Sequence, residues 1–518
     1  MILESNLKLA PLLSRVNPGK EREPSDASAQ ALAIASAVAK DVDEDRKLKR
    51  VNPKVHWDYY HGYQAQYFVQ RRYEDDYEFK NRKDRAKITN YTRFIVDLDT
   101  KFLYGRPGKI GRHYGENEKT ENRIRKINSL IGIHNMQMEA KRSASLYGEQ
   151  GFRLIPVDSR TGMQVDSLTK IDENVYPHPV ALDPKTTFFL VNPYGKISAV
   201  VIETEVKDYV NEEKTVKITE LVTDDSRWIW HDDALQVAEA NKYNLRDEFI
   251  LEVNNKERID SVQDMLSLNT ALNETITDNA YFFSRHATPQ LVSSVDLSKV
   301  IGKDNMVWEI NLDSDESKKV LDQLGFLVWD GKMDDARAYL EDLEAKIFKV
   351  TNTAAISTGD LKGIGNLRSG AAIITTYAPT IQKALEQQIV WAENERKFCE
   401  AILSFDSLIH STTVEQRFPD FEFEMRFPKD NGVPGEELMN AEIRQINLNS
   451  HLKPMKTLIR DENPDYNNKK IEETRQEILD DSEALVDSSR KFLTEQAGEN
   501  SQASSSQKKS GEQTKSTK

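Results

Sequence analysis

The chain reads as an α+β protein, predominantly helical, and three observations carry that reading. Apolar residues recur at three- and four-residue steps over long stretches, the period of a helix with one buried face. A block of short β-branched and aromatic runs, divided by turn residues, lies between Phe152 and His231 and predicts an antiparallel sheet. A helical segment beginning near Asp334 ends at a glycine-rich loop, Thr358-Gly-Asp-Leu-Lys-Gly-Ile-Gly-Asn-Leu-Arg368, and a longer helical segment restarts at Arg368 and runs to Phe405.

Taken in order, residues 1–55 are polar and mixed. Their alanine-rich piece, Ala27 to Ala39, is compatible with a helix but offers little to bury, so a peripheral arm is expected. Aromatics are dense from Trp57 to Tyr77. Packing explains them better than base stacking, since Glu74, Asp75, Asp76 and Glu78 oppose the basic groove that a stacking platform needs. Ile88, Tyr91, Ile95, Leu98 and Phe102 share one helix face, and Gly105 with Pro107 supplies the stop, glycine through a left-handed cap. A helix over Asn135 to Leu146 ends at Gly148 and Gly151. The expected strands follow: Phe152–Val157, Thr186–Val191, Ile197–Val206, Val216–Val222 and Trp228–His231.

The stripe Ile259, Val262, Leu266, Leu272, Ile276, Ala280 and Phe283 predicts a helix about 40 Å long, closed by Pro289. An insert from Val292 to Lys332 holds a strand over Met306–Leu312 and a short helix over Ser317–Leu324. Ala336, Leu340, Leu343, Ile347 and Val350 mark the helix that leads into the glycine loop. Beyond the loop, Ile374, Ala378, Ile381, Leu385, Ile389, Ala392, Cys399 and Ile402 mark the longest helix. Pro379 removes a donor inside it, which predicts a kink. Phe421–Phe427 alternates like a strand, and amphipathic helices broken at Pro454 and Pro464 fill Glu436 to Leu485. The Ser-, Gln-, Lys- and Gly-rich end lacks apolar anchors and is expected to be disordered.

Composition narrows the function. The 518 residues suffice for several domains. At 38% hydrophobic and 30% charged, the chain has no apolar run of about 18 residues, which argues against a membrane-spanning protein. The start, Met1-Ile-Leu-Glu-Ser-Asn, carries an early acid and no basic region, so no signal peptide is expected. The one cysteine, Cys399, cannot form an intrachain disulfide and reads as a buried structural thiol. The net charge of −14 opposes non-specific wrapping of nucleic acid, whose binding draws on Lys and Arg releasing counterions. Contact with DNA would have to be local or weak.

No catalytic constellation emerges. Gly105-Arg-Pro-Gly-Lys-Ile-Gly111 lacks the spacing and the Ser/Thr of a Walker A loop and reads as a helix-ending turn. The nine histidines are scattered without metal-ligand spacing; His178 and His231, near expected strand ends, read as surface residues. Acid runs such as Asp41-Val-Asp-Glu-Asp45 and Asp480-Asp481 read as solvated helix faces. No metal or other cofactor is implied.

The order of short motifs does carry a resemblance. Tyr59-Tyr-His-Gly62, Ile88-Thr-Asn-Tyr-Thr-Arg-Phe-Ile-Val-Asp97 leading into Phe102-Leu-Tyr-Gly-Arg-Pro107, Ala144-Ser-Leu-Tyr-Gly-Glu149, and Ser261-Val-Gln-Asp-Met-Leu-Ser-Leu-Asn-Thr-Ala-Leu-Asn273 together resemble the portal proteins of long-tailed double-stranded DNA bacteriophages. The resemblance implies a homo-oligomeric ring, usually a dodecamer, at one vertex of the capsid and assembled in the host cytoplasm. It implies an N-terminal arm over residues 1–55, a wing over 56–256, stem helices over 257–289 and 334–357 around a clip over 290–333, and a channel loop over 358–368. A long kinked helix with a wing strand would span 369–434, a crown 435–490 and a disordered tail 491–518. The partners implied are further copies of the chain, passing double-stranded DNA, the terminase large subunit, a head-completion adaptor, and the major capsid and scaffolding proteins, with no membrane.

Two residue-level readings agree with that implication. A channel must let a polyanion slide, and the loop balances Lys362 and Arg368 against Asp360, while Gly359, Gly363 and Gly365 let it bend. The kink at Pro379 would turn the long helix. The loop also reads as an ordinary connector, with Arg368 as a cap or ion-pair partner. Trp308 and Trp329 fit partner-facing anchors and the insert's own core equally well. A DNA-processing enzyme, such as a metal-dependent nuclease subunit, and a non-channel scaffold or adaptor are the alternatives.

Overall fold

The computed structural model describes residues 24–48, 52–105, 110–165, 172–192, 194–207, 215–255, 262–286, 290–293, 308–309, 326–327, 334–354, 370–428, 436–450, 452–463, 466, 468–481 and 483–484. Helices and antiparallel strands mix in an α+β arrangement, and helix starts follow side-chain capping. Asn52 accepts from the Lys54 and Val55 amides and opens helix Pro53–His61, with proline in its first turn. Asn90 accepts from the Arg93 amide, so the helix expected from Ile88 begins at Tyr91 and runs to Tyr104. Its Gly105 cap is right-handed, at φ −65° and ψ −4°. The left-handed freedom expected of that glycine is therefore not used. Helix Glu118–Ile131, capped by Asn117, passed unnoticed in the sequence because its buried apolar residues are only Ile124 and Ile127. Gly132, at φ 62°, makes the left-handed turn into helix Ile133–Tyr147, where a side chain would be strained.

The strands divide into two principal sheets rather than one. With β1 as Gly111–Tyr114, the smaller principal sheet has β2 (Glu149–Asp158) between β3 (Val175–Ala181) and β9 (Phe249–Val253), all antiparallel. The larger runs in sequence order through β4 (Thr187–Val191), β5 (Ile197–Lys207), β6 (Thr215–Val222), β7 (Ser226–His231) and β8 (Ala234–Ala240). Pro177 and Pro179 hid β3 in the sequence; as an edge strand it needs only one set of ladder donors. His178, read from sequence as a surface residue near a strand end, sits mid-strand opposite Ile155 and is half-buried. His231 is exposed, as expected.

Alternation along the larger sheet gives it two apolar faces. Phe188, Leu190, Val201, Leu221, Trp228 and Trp230 meet helix Pro24–Leu48, whose Ala31, Ile34, Ala35 and Val38 are buried against them. The alanine-rich segment expected to have little to bury is thus a packed layer, since small side chains let a helix lie close on a sheet. Phe189, Val200 and Val222 point the other way, toward Leu245 and Phe249. There Gly151 of β2 passes so close to the Phe189 ring that a Cβ would lie 2.4 Å from it.

The main core forms around the forty-residue helix Gly370–Ile409, about 60 Å long at 1.5 Å per residue. Trp391, Phe398, Ile402, Phe405 and Ile409 pack on Phe152, Leu154, Val157, Ile250, Tyr104 and Ile127. Cys399 is buried with Tyr114, Ile124, Leu403 and Phe418, and burial pushes its thiol well up. The stripe expected to be internal holds only in the second half of this helix. Leu385 is 50% and Ile389 69% exposed, and Ala384 is buried instead. After the helix, β13 (Phe423–Arg426) pairs antiparallel with β1, Gly111 opposite Arg426.

Helices Gln263–His286 and Asp334–Val350 share an apolar seam in which Val262, Met265, Leu272, Leu343 and Ile347 meet Ile95, Val96 and Leu146. Between them, β10 (Gln290–Ser293) pairs parallel with β11 (Trp308–Glu309) and antiparallel with β12 (Phe326–Leu327). Of the strand expected over 306–312, only Trp308–Glu309 is described as strand. The short helix expected over 317–324 lies outside the described residues, as does the 491–518 tail. No helix among the described residues is long and apolar enough to cross a membrane.

The contact at Gly151 is measurable: Gly151→Val forces the Phe189 ring aside, and we expect a loss of about 1–3 kcal/mol in denaturant unfolding.

Candidate functional site

The residues singled out by sequence fall unevenly on the structure. Gly359, Asp360, Lys362, Gly363, Gly365, Arg368 and Trp329 lie outside the described residues. Trp308 is a strand residue of β11. Pro379 lies inside helix Gly370–Ile409, which continues across it. What the structure does describe is the frame that holds the segment between Ala354 and Gly370.

That frame begins with the motifs quoted above, which meet one another. Gln64 sits at the centre, its Nε2 donating to the Tyr59 carbonyl at 2.9 Å and to Asn90 Oδ1 at 3.3 Å. Its Oε1 accepts from Asn269 Nδ2 at 2.7 Å and also from Asn273. Asn273 Oδ1 in turn accepts from the Thr89 amide at 2.8 Å. The Tyr60 hydroxyl donates to Asp97 at 3.0 Å, and the ring nitrogens of His56 contact the Leu146 carbonyl at 2.8 Å and Gln263 Oε1 at 2.7 Å. Buried amides need partners. The asparagines of the Ser261–Asn273 motif are therefore bolts between the helix and the residues 56–90 that wrap it, and the tyrosines close the same joint. Of the aromatic stretch, Tyr59 and Phe68 are buried while Tyr73 is 91% exposed, so packing accounts for part of it.

Helix Asp334–Val350 ends in a Schellman motif. The Thr353 amide donates to the Phe348 carbonyl at 2.9 Å and the Asn352 amide to Lys349 at 3.4 Å, with Asn352 left-handed at φ 51°. From there the chain is tied to the long helix at two points. The Ala354 amide donates to Thr380 Oγ1 at 2.8 Å, one residue beyond Pro379. Lys383 Nζ donates to the Thr351 carbonyl at 3.0 Å and pairs with Asp99 Oδ2 at 2.6 Å. Thr351, Thr353, Ala354, Thr380 and Asp99 are all buried. The turn after helix Asp334–Val350 and the stretch Thr380–Lys383 of the long helix are therefore joined at one place.

Further along, the long helix carries two more buried charges, each met by arginine. Glu395 accepts from Arg112 Nε at 2.7 Å and Nη2 at 2.8 Å, and from the Tyr104 hydroxyl at 2.9 Å. Asp406 accepts from Arg123 at 2.6 Å and Arg417 at 2.5 Å. Sequence reading missed Asp99, Lys383, Glu395 and Asp406. For Asp99, Glu395 and Asp406 the available signal was a charge at a helical position with apolar neighbours three and four away; Lys383, with Thr380, Glu386 and Gln387 at those spacings, offered none.

Two buried groups beside this frame titrate abnormally. Lys141 Nζ donates to Ser145 Oγ at 2.7 Å and Asn254 Oδ1 at 2.6 Å; burial lowers it to about 7, and Asp99 opposes the shift. Burial raises Glu252 from 4.5 to about 8, opposed by the hydrogen bond from Gln137 at 2.7 Å. Among the described residues no group of three or more His, Cys, Asp and Glu is placed to hold a metal ion.

The frame is thus two helices bolted by buried amides and ion pairs into a mixed core of helix and sheet. Residues 43–478 match the family described as phage portal protein, SPP1 Gp6-like. A comparison with curated proteins finds no match. The chain belongs to the phage portal family, whose members are structural parts of the virion at the capsid vertex and serve DNA packaging.

Arg112→Met strands the Glu395 carboxylate, and we expect a loss of about 3–5 kcal/mol in denaturant unfolding. Glu252 binds its proton more tightly in the folded chain than in the unfolded one. Its contribution to stability is thus whole below pH 4.5 and is lost as pH rises to about 8. Thermal melts of Glu252→Gln are expected to exceed wild type most above pH 8 and to converge with it near pH 4.5, by about 2–4 °C per kcal/mol recovered.

Proposed function

We propose that copies of this chain stand in a closed ring, a dodecamer, at the capsid vertex and form the conduit through which double-stranded DNA enters during packaging and leaves during ejection. Each copy contributes residues 358–368 as a channel loop facing the passage. The wing is assigned to residues 56–256, the stem to 257–289 and 334–357, the clip to 290–333, the long helix with its wing strand to 369–434 and the crown to 435–490, with the arm at 1–55 and the tail at 491–518.

The observation that supports this reading is the tie between the elements that flank residues 355–369. The Ala354 amide donates to Thr380 Oγ1 and so holds the end of helix Asp334–Val350 against the long helix, ten residues inside it, while the apolar seam and the mixed core fix both helices. Repetition of one interface by rotation closes a ring when the angle fits. The net charge of −14 suits a passage that must not grip phosphates. In this reading Trp308 and Trp329 face the terminase large subunit during packaging and the head-completion adaptor afterwards, and the wing and crown meet the major capsid and scaffolding proteins.

Negative-stain images of the purified chain are expected to show rings with a hole wider than a duplex of roughly 20 Å; a monodisperse monomer would sink the conduit. Replacing Gly363 and Gly365 by proline is expected to leave rings intact and reduce packaged DNA, and full genome filling would remove the loop from the mechanism.

A further inference from the structure

We propose that Glu252 keeps its proton in the folded chain and donates it to Gln137, so that carboxyl and carboxamide form a cyclic pair joined by two hydrogen bonds. That proton then acts as a latch between helix Ile133–Tyr147 and β9. The inference concerns the single chain and does not rest on the conduit reading.

One half of the pair is observed directly: Gln137 Nε2 donates to Glu252 Oε1 at 2.7 Å. The other half is two buried atoms without a hydrogen-bond partner, Gln137 Oε1 and Glu252 Oε2. Both side chains are fully buried, so neither atom has solvent to turn to. Two oxygens that only accept cannot satisfy each other, whereas a proton on the carboxyl satisfies both. Carboxyl and carboxamide are planar groups of similar span, and sharing a plane is enough to bring the second pair of atoms together. The pair is the same with the amide turned over, since exchanging its nitrogen and oxygen only exchanges the two bonds.

Other donors around Glu252 are engaged elsewhere. Gln150, opposite it in the ladder, gives its amide to the Gly151 and Leu182 carbonyls. Lys141, one turn on from Gln137, gives its ammonium to Ser145 and Asn254. Arg112 of β1 is held by Glu395. The remaining titratable groups that act on Glu252 or respond to it are Glu395, Cys399 and Tyr104, all acids, and none supplies a counter-cation. Burial, helped by Glu395, pushes Glu252 up to about 8, in the sense the cyclic pair requires.

The latch sits in a joint of three elements. Gln137 holds residue 252, Asn394 Nδ2 of the long helix donates to the Val253 carbonyl at 2.7 Å, and Lys141 holds Asn254 at 2.6 Å. Successive residues at the end of β9 are thus tied in turn to helix Ile133–Tyr147 and to the long helix. Ionisation of Glu252 sets two acceptor oxygens against each other inside this joint, beside Glu395.

Infrared difference spectra of the full-length chain, taken across pH, test the proton directly. A protonated-carboxyl band is expected to persist near neutral pH, where ordinary carboxylates are ionised, and to vanish as pH rises through about 8. The band is expected to be missing in Glu252→Gln, which separates it from Glu248, another carboxyl that burial pushes up. Gln137→Met decides between the cyclic pair and a lone amide donor. Losing a lone donor to the carboxylate moves the midpoint of the band up, whereas losing the acceptor of the proton moves it down, by about one pH unit or tenfold in proton affinity. Hydrogen-exchange protection at Val253 is expected to fall about tenfold above pH 8 in the wild type and to stay level in Glu252→Gln, whose amide re-forms both bonds. Absence of the band near neutral pH, or a midpoint that rises in Gln137→Met, overturns the cyclic pair; level protection at Val253 in the wild type overturns the latch. Should either variant not fold, the wild-type titration and its exchange profile decide by the same criteria.

Discussion

A helix that passes from a solvent-facing segment into the middle of a core must bring its charges with it, and the rest of this structure depends on how they are met. Glu395 and Asp406 lie on the long helix where water is excluded and Lys383 where it is half-buried, and each finds an opposite charge on a different part of the chain: Arg112, Arg123 with Arg417, and Asp99. Apolar packing of Trp391, Phe398, Ile402 and Phe405 supplies the gross attraction but is non-directional. The paired arginine contacts on Glu395 are directional, and they specify rotation and translation of the helix along its axis. Removing one partner leaves an uncompensated charge, so the register is defended by the cost of leaving it.

The seam between helices Gln263–His286 and Asp334–Val350 follows the same logic with neutral groups. Asn269 and Asn273 are buried amides that both donate to Gln64 Oε1, and Asn273 also accepts from the Thr89 amide, while Asn269 Oδ1 stays without a hydrogen-bond partner. Each is costly alone and acceptable only in this arrangement. Helix Gln263–His286 is thus set against residues 56–90 by hydrogen bonds on one side and by Met265, Leu272, Leu343 and Ile347 on the other. In the proposed ring, these two joints carry the geometry from the outer core to the passage.

Much of this was legible in the sequence, and the failures have physical causes. Helix positions around Ile95, Leu343 and Phe398, and the central strands from Phe188 to Trp230, follow from periodicity because burial on one face selects it. Periodicity identifies residues that share a face, not which face is inside, which is why Leu385 and Ile389 point outward in the single chain. β3 was hidden by prolines that an edge position tolerates, and β8 by alanines that make a poor strand on their own. The packed role of Ala31 and Ala35 depends on a sheet formed almost two hundred residues later. The joint between the turn at Thr351 and the long helix could not be read at all, since Asp99, Thr351, Thr380 and Lys383 are ordinary residues until the fold brings them together. The short motifs, far apart in the chain, meet in the fold through Gln64, Asn90 and Asn273.

The pairing of β1 with β13 joins Gly111–Tyr114 to Phe423–Arg426. Every residue that fills the middle of the main core from the long helix is also made late. A ribosome that has delivered both principal sheets has not yet delivered the partner of β1 or the helix that completes the main core, and contacts of such sequence separation form slowly. Maturation of the subunit is in this sense gated by its own C-terminal third. The order of synthesis withholds the keystone of the core until nearly all of the arch has emerged.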